Sequence, residues 1–306
     1  MKWSIRITEG SDQMAKHLGI YHNGDLDGRC SAAILLHELQ DIELYGMNYG
    51  DHFPWQLVDK DTDVYMCDFS LPWEDMWKLE RLSKRFVWLD HHRSAISAYE
   101  RFHEVNSSNY ILGIREIGKS ACEITWGFFH PDESIPEFIK LLGSYDVWRN
   151  VDKEHWDNYI VPFEYGMLSE ITTLGSIIWK ILFFEPDTSR LISNLIEKGR
   201  TIVAYNKQSD AEYAREYAYE IEFEGLRALC INSTKHSSMI LESVYDPLKH
   251  DVMIVYTQRR SDYRISFYSD KPEVDCSKIA LKYGGGGHHG ASGAQVKNLP
   301  FTPEEP

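Results

Sequence analysis

Short apolar runs, too brief for helices, alternate with longer amphipathic stretches in the N-terminal part of the chain, which is the rhythm of repeated βαβ units. Ile20-Tyr21 leads into His22-Asn23-Gly24-Asp25-Leu26-Asp27-Gly28, after which Cys30 to Leu39 carries helical spacing and Ile42 to Met47 reads as a strand. Asp63 to Asp68 reads as a strand, Trp73 to Lys84 as a helix and Arg85 to Asp90 as another strand. Strands separated by helices predict an α/β fold with a mostly parallel sheet, in which ligands bind at the carboxyl ends of the strands. Further on, Ser120 followed by Glu123 is a capping box for a helix running past Trp126, and a helix over Ile135 to Leu142 leads to Asp146.

The pattern changes around Asp187-Thr188-Ser189, where a long polar, tyrosine-bearing helix ends near Ala218. Beyond it, Tyr219 to Phe223 and Leu226 to Ile231 flank Glu224-Gly225 as a hairpin, followed by a helix over Ser237 to Val244. Strands over Val252 to Thr257 and Tyr263 to Tyr268, a helix over Asp275 to Tyr283 and a glycine run complete a smaller α/β unit. The expected organisation is a larger N-terminal domain (1–185), a helical connector (186–218) and a smaller domain (219–306), with the site in the cleft between the two domains.

Composition narrows the class. A chain of 306 residues is long enough for two domains that each bury a core. Five scattered cysteines argue against a disulfide framework or a zinc knuckle, and no apolar stretch is long enough to span a bilayer, so a cytoplasmic protein without membrane contact is expected. The net charge of −15 leaves no basic stripe of the kind that grips long nucleic acid, which favours a short substrate over a long duplex.

The chemistry gathers at three strand ends. Asp90-His91-His92 follows Arg85-Phe86-Val87-Trp88-Leu89, Asp68 follows Val64-Tyr65-Met66-Cys67, and His22, Asp25 and Asp27 follow Ile20-Tyr21. Carboxylates and imidazoles without a thiolate suit Mn²⁺ first, with Mg²⁺ or Co²⁺ as alternatives. So many acidic groups exceed the needs of one ion, and a pair of ions ~3.5–4 Å apart is the usual arrangement for hydrolysing phosphate esters. Near the C-terminus, Gly284-Gly285-Gly286-Gly287-His288-His289-Gly290 offers backbone amides to a phosphate, with Gly286, Gly287, His288 and His289 as candidate contacts. Alternation along the neighbouring strand puts Arg264, Ser266 and Tyr268 on one face, with Arg264 a phosphate clamp.

These motifs resemble those of the DHH phosphoesterases. His22 to Gly28 is similar to the first motif of that family, Asp68 to the second, Asp90-His91-His92 to the third and Asp146 to the fourth, while the glycine run resembles the loop of the DHH-associated domain. The resemblance covers nearly the whole chain and is closest to the oligoribonuclease and cyclic-nucleotide phosphodiesterase branch. It implies two divalent cations, one on His22, Asp25 and Asp68, the other on Asp27, Asp68, His91 and Asp146, with Asp68 bridging. It also implies that Asp90 orients an imidazole and that His92 acts at the scissile phosphate. Where family members often carry arginine this chain has Tyr268, which suggests stacking or hydroxyl contact there. The implied activity is hydrolysis of short oligonucleotides from an end by a two-metal-activated hydroxide. Cyclic mono- and dinucleotides, pAp and single strands are alternative substrates, a nucleotide-binding sensor is the alternative outside enzymes, and a homodimer is an open option.

Overall fold

The computed structural model describes residues 16–39, 41–105 and 110–302. Its first sheet has four parallel strands in the order β2-β1-β3-β4, formed by β1 (Lys16–His22), β2 (Ile42–Met47), β3 (Thr62–Cys67) and β4 (Arg85–Leu89). The connecting helices are α1 (Leu26–Glu38) and α2 (Trp73–Leu82), and α3 (Arg93–Val105) follows β4. Both faces of the sheet are covered, as the apolar runs of β3 and β4 require. Val64, Met66, Phe86 and Trp88 pack with Met76 and Leu79 of α2, while Tyr65, Cys67, Val87 and Leu89 pack with Leu35 of α1 and Ile124 on the other side.

A helical layer follows, comprising α4 (Ala121–Phe129), α5 (Glu137–Asp146), α6 (Lys153–His155), α7 (Val161–Leu168), α8 (Ile177–Phe184) and the 29-residue α9 (Ser189–Tyr217). The capping box at Ser120 and Glu123 forms as the spacing predicts. α7 and α9 cross at glycines: a Cβ on Gly199 would lie 1.7 Å from the Pro162 carbonyl oxygen, and one on Gly166 would lie 2.1 Å from that of Leu195. The backbones therefore touch where any side chain would hold them apart. Ile192, Leu195, Ile196 and Val203 of α9 join the helical core, and Ala214 near its far end joins a separate core built on the second sheet.

That sheet has six strands in the order β5-β6-β7-β8-β10-β9. They are β5 (Tyr219–Phe223), β6 (Leu226–Asn232), β7 (Val252–Arg259), β8 (Asp262–Tyr268), β9 (Gly286–Gly287) and β10 (Ala291–Val296), with α10 (Cys276–Lys282) packed on one face. Three details differ from the sequence expectation. The first long helix begins at Leu26, inside the acidic motif, because Asp25 caps it. The helix expected over Ser237 to Val244 is a single 3₁₀ turn, Ser238–Leu241, since so short a segment gains more from burying Ile240 and Leu241 than from propagating helical bonds. The end of the glycine run is an edge strand, with Gly286 and Gly287 opposite Gly293 and Ser292. No helix among the described residues is long and apolar enough to cross a membrane.

Gly199→Ala should destabilise the chain by about 1–3 kcal/mol through overpacking at the α7–α9 crossing. Helix propensity alone would favour alanine by about 1 kcal/mol, so a denaturation midpoint that rises rather than falls would contradict the close crossing.

Candidate metal centre and substrate cleft

The parallel sheet aims its carboxyl ends at one buried space, and each strand delivers one part of the site. β1 ends at His22, and the chain turns straight into α1. Gly28 permits this turn, because a Cβ there would sit 2.0 Å from the His22 carbonyl oxygen. Asp25 caps the helix through Oδ1, which accepts from Gly28 N at 3.0 Å, and turns Oδ2 to His22 Nδ1 at 2.7 Å. Asp27, one turn in, is fully buried, and its two oxygens accept the Ala121 and Cys122 amides at 2.7 and 2.8 Å. The N-terminus of α4 thus helps to hold this carboxylate.

β3 delivers Asp68 with φ of 54°, a left-handed conformation rare outside glycine and characteristic of strained functional positions. Its Oδ1 lies 3.1 Å from His91 Nε2 and 3.7 Å from His92 Nδ1, and its Oδ2 lies 3.5 Å from His22 Nδ1. β4 delivers Asp90, wholly buried, whose Oδ1 accepts from His92 Nδ1 at 2.7 Å and from the His91 and His92 amides at 2.8 and 3.2 Å, while Trp88 Nε1 donates to Oδ2. Asp90 is thereby spent on orienting the turn and the His92 ring. Asp146, at the end of α5, closes the circle with Oδ2 3.4 Å from His91 Nε2.

The electrostatics of this space are those of a crowd of acids. Burial and the neighbouring Asp68 push the Asp27 carboxyl up to about 6, and burial with Asp27 pushes Asp146 well above the usual carboxylate range. Burial alone would lower the His22 imidazole, but Asp25 and Asp68 outweigh it and raise it to about 11. Asp68 is itself held far down, since His22 and His91 overcome the effect of its burial. Among the described residues, Asp68 Oδ2 and Asp146 Oδ2 are buried and find no hydrogen-bond partner. Donor atoms of His22, Asp25 and Asp68, and of Asp27, His91 and Asp146, lie within 4.8 Å of one another in each group. Buried carboxylate oxygens with only an imidazole for company are the donor set a hard divalent cation satisfies, so these residues fit such an ion.

The second sheet reaches the same space. Gly286 packs against Ser94 at the start of α3, and the His288 ring stands 4.7 Å from His91 and 5.0 Å from His92, centre to centre. Burial and the two facing imidazoles lower His288 to about 3, so it is a neutral ring. Arg264 and Tyr268 flank Ser266 along β8, as alternation predicts. His289 is not drawn into the cluster: its Nε2 hydrogen-bonds the Pro272 carbonyl at 3.1 Å.

Three participants escaped the sequence reading. Tyr49, just past β2, stacks on Phe69 at 4.7 Å and lies 5.7 Å from the His22 ring, an exposed aromatic surface beside the carboxylates. The end of β2 is the fourth strand end, and Asn48-Tyr49-Gly50 there carries no acid or imidazole to mark it. His236 hydrogen-bonds Ser266 at 3.2 Å, and burial with nearby Arg264 lowers it to about 4. Glu164 lies buried within the apolar α7, where no pattern marks it.

No protein-family model matches the chain. It is 25% identical to the uncharacterized protein R106 of Acanthamoeba polyphaga mimivirus, over 92% of this chain and 69% of that protein. It is 22% identical to the oligoribonuclease NrnB of Bacillus subtilis, over 90% of this chain and 72% of that enzyme. Among solved structures it superposes on the DHH domain of a member of the s1p family of ribosomal proteins with a TM-score of 0.55, at 14% identity, covering 92% of this chain and 83% of that one. The chain has the DHH fold.

Burial, with Asp25 and Asp27 nearby, raises Glu164 to about 8. The folded state then holds this proton up to about pH 8, whereas an unfolded glutamate releases it near 4.5, so stability contributed at this position falls as pH rises through that window. Glu164→Gln should therefore leave the melting temperature near that of the parent at pH 5 and raise it by a few degrees at pH 9, in metal-free protein. Equal differences at both pH values would show that Glu164 is not held protonated.

Proposed function

We propose that the chain is a divalent-metal-dependent phosphodiesterase that shortens small oligonucleotides from an end to mononucleotides, with a pair of Mn²⁺ ions as its cofactors. The observation that carries this reading is the meeting of two carboxylate and imidazole clusters at the strand ends with His288 from the opposite sheet. The relationship to an oligoribonuclease of Bacillus subtilis supports the substrate class, and the net charge of −15 supports a short substrate over a long one. Five buried free cysteines suit a reducing cytoplasm.

His22, Asp25 and Asp68 would hold one ion and Asp27, Asp68, His91 and Asp146 the other, with Asp68 common to both. Bound there, the ions supply Lewis-acid charge to a phosphoryl oxygen and lower the pKa of a water molecule. The protein's own side chains do the rest. Asp90 fixes the His92 ring through Nδ1, leaving Nε2 to face the scissile phosphate and to donate to the departing oxygen. His288 closes the opposite side as a neutral hydrogen-bond donor, Arg264 offers a bidentate contact to a terminal phosphate, and Tyr49 stacked on Phe69 presents a surface for a base. Tyr268 contributes a hydroxyl or a ring at the position where family members often carry arginine.

A panel of RNA dinucleotide, long single-stranded RNA, long single-stranded DNA and cyclic AMP, each with Mn²⁺, Mg²⁺, Co²⁺ or EDTA, tests the reading. The expected result is turnover that needs a divalent ion, is fastest with Mn²⁺ and favours the dinucleotide; hydrolysis of the long strands or of cyclic AMP at the higher rate overturns the substrate assignment.

Asp68→Ala should abolish turnover and tight Mn²⁺ binding together. Asp90→Asn should cost roughly 10–100-fold in activity, the usual effect of losing a group that orients a site residue, with the fold intact by circular dichroism. A folded Asp68→Ala protein with normal turnover would remove Asp68 from the mechanism.

A further inference from the structure

Three imidazoles meet in the cleft from two separate parts of the chain. His91 and His92 follow β4 and His288 follows β9, and their ring centres are separated pairwise by 4.8, 4.7 and 5.0 Å. One donor nitrogen from each ring lies within 4.8 Å of the other two, in a group that contains no carboxylate. One of the donors is already oriented. Asp90 occupies His92 Nδ1 at 2.7 Å and so leaves Nε2 as the nitrogen that opens a lone pair once it gives up its proton, the carboxylate-behind-imidazole arrangement that typically orients metal-binding histidines. His91, 1% exposed, has a buried Nδ1 with no hydrogen-bond partner among the described residues. The His288 ring has no hydrogen-bond partner among the described residues, while its backbone is fixed by the amide donated to the Ala291 carbonyl at 2.7 Å.

We propose that His91, His92 and His288 form an inhibitory Zn²⁺ site that ties the glycine-run histidine to the two histidines after β4 and shuts the cleft. Ligand chemistry distinguishes it from the neighbouring acidic clusters. Three imidazoles at about 2.0–2.1 Å with a fourth position open is a familiar zinc environment, whereas Mn²⁺ and Mg²⁺ prefer the oxygens of the carboxylates. Bond lengths of that size need nitrogens about 3.4 Å apart, which side-chain rotation reaches from the present separations. His91 also belongs to the group with Asp27 and Asp146, so zinc draws one ring away from the carboxylates as it immobilises His288. Zinc and substrate then compete for the same side chain. The binding stands on the three rings alone; the inhibition rests on the hydrolase reading above.

Zinc K-edge absorption on the full chain, saturated with Mn²⁺ and given one equivalent of Zn²⁺, tests this directly. The expected shell is three imidazoles, falling to two in His288→Gln, with zinc affinity in that variant lower by more than roughly tenfold. In parallel, Zn²⁺ should inhibit dinucleotide hydrolysis competitively with substrate, and excess Mn²⁺ should relieve part of the inhibition, because both ions draw on His91. An oxygen-rich shell in the parent protein, unchanged by His288→Gln, overturns the site even if zinc inhibits. Should the variant fail to fold, the imidazole count of the parent protein still decides. A three-imidazole shell in a protein that hydrolyses no member of the panel would retain the site and remove the hydrolase reading.

Discussion

Asp27, Asp68 and Asp146 stand around a single nitrogen, His91 Nε2, at 3.5, 3.1 and 3.4 Å. Three carboxylates sharing one partner in a buried space repel strongly, because little water is present to screen them. The fold relieves part of that repulsion with neutral dipoles. The amino end of α4 serves Asp27, backbone amides serve Asp90, and Asp25 is absorbed as a helix cap. Among the described residues, what remains on Asp68 and Asp146 faces the imidazoles of His22, His91 and His92. A cation is therefore the natural completion of the arrangement, and burial together with the neighbouring carboxylates raises Asp27 and Asp146.

Much of this was legible in the chain. Strand ends are marked by a change from apolar to acidic residues, which assigns Asp68 and Asp90-His91-His92 to one edge of a parallel sheet from the sequence alone. Spacing within a motif also carried over, since Asp25 and Asp27 sit on the cap and first turn of one helix. Partners distant in sequence were not legible. That Asp27 is held by the amides of residues 121 and 122 depends on how α1 and α4 pack, which no local pattern records. Glu164 is hidden for the same reason: an acid inside an apolar helix looks like a surface position until the helix is buried.

Small residues misled in the other direction. The glycine run reads as an open loop, yet Gly286 and Gly287 form strand β9 against β10, itself rich in alanine, serine and glycine. Strand propensity is weak in such residues, and pairing with β8 decides the outcome instead. The pairing matters to the site, because it fixes the backbone from which His288 extends toward His91 and His92.

α9 joins these two halves as one continuous helix, with its first turns in the helical core and Ala214 in the core of the second sheet. Each residue of an α-helix advances about 1.5 Å and turns about 100°. Inserting or deleting one residue between Val203 and Ala214 would rotate the whole second sheet about the helix axis and swing His288 out of register with the metal centre, leaving every motif intact. The length of that segment is thus a phase, specified as strictly as the identity of any ligand, although none of its residues touches the chemistry.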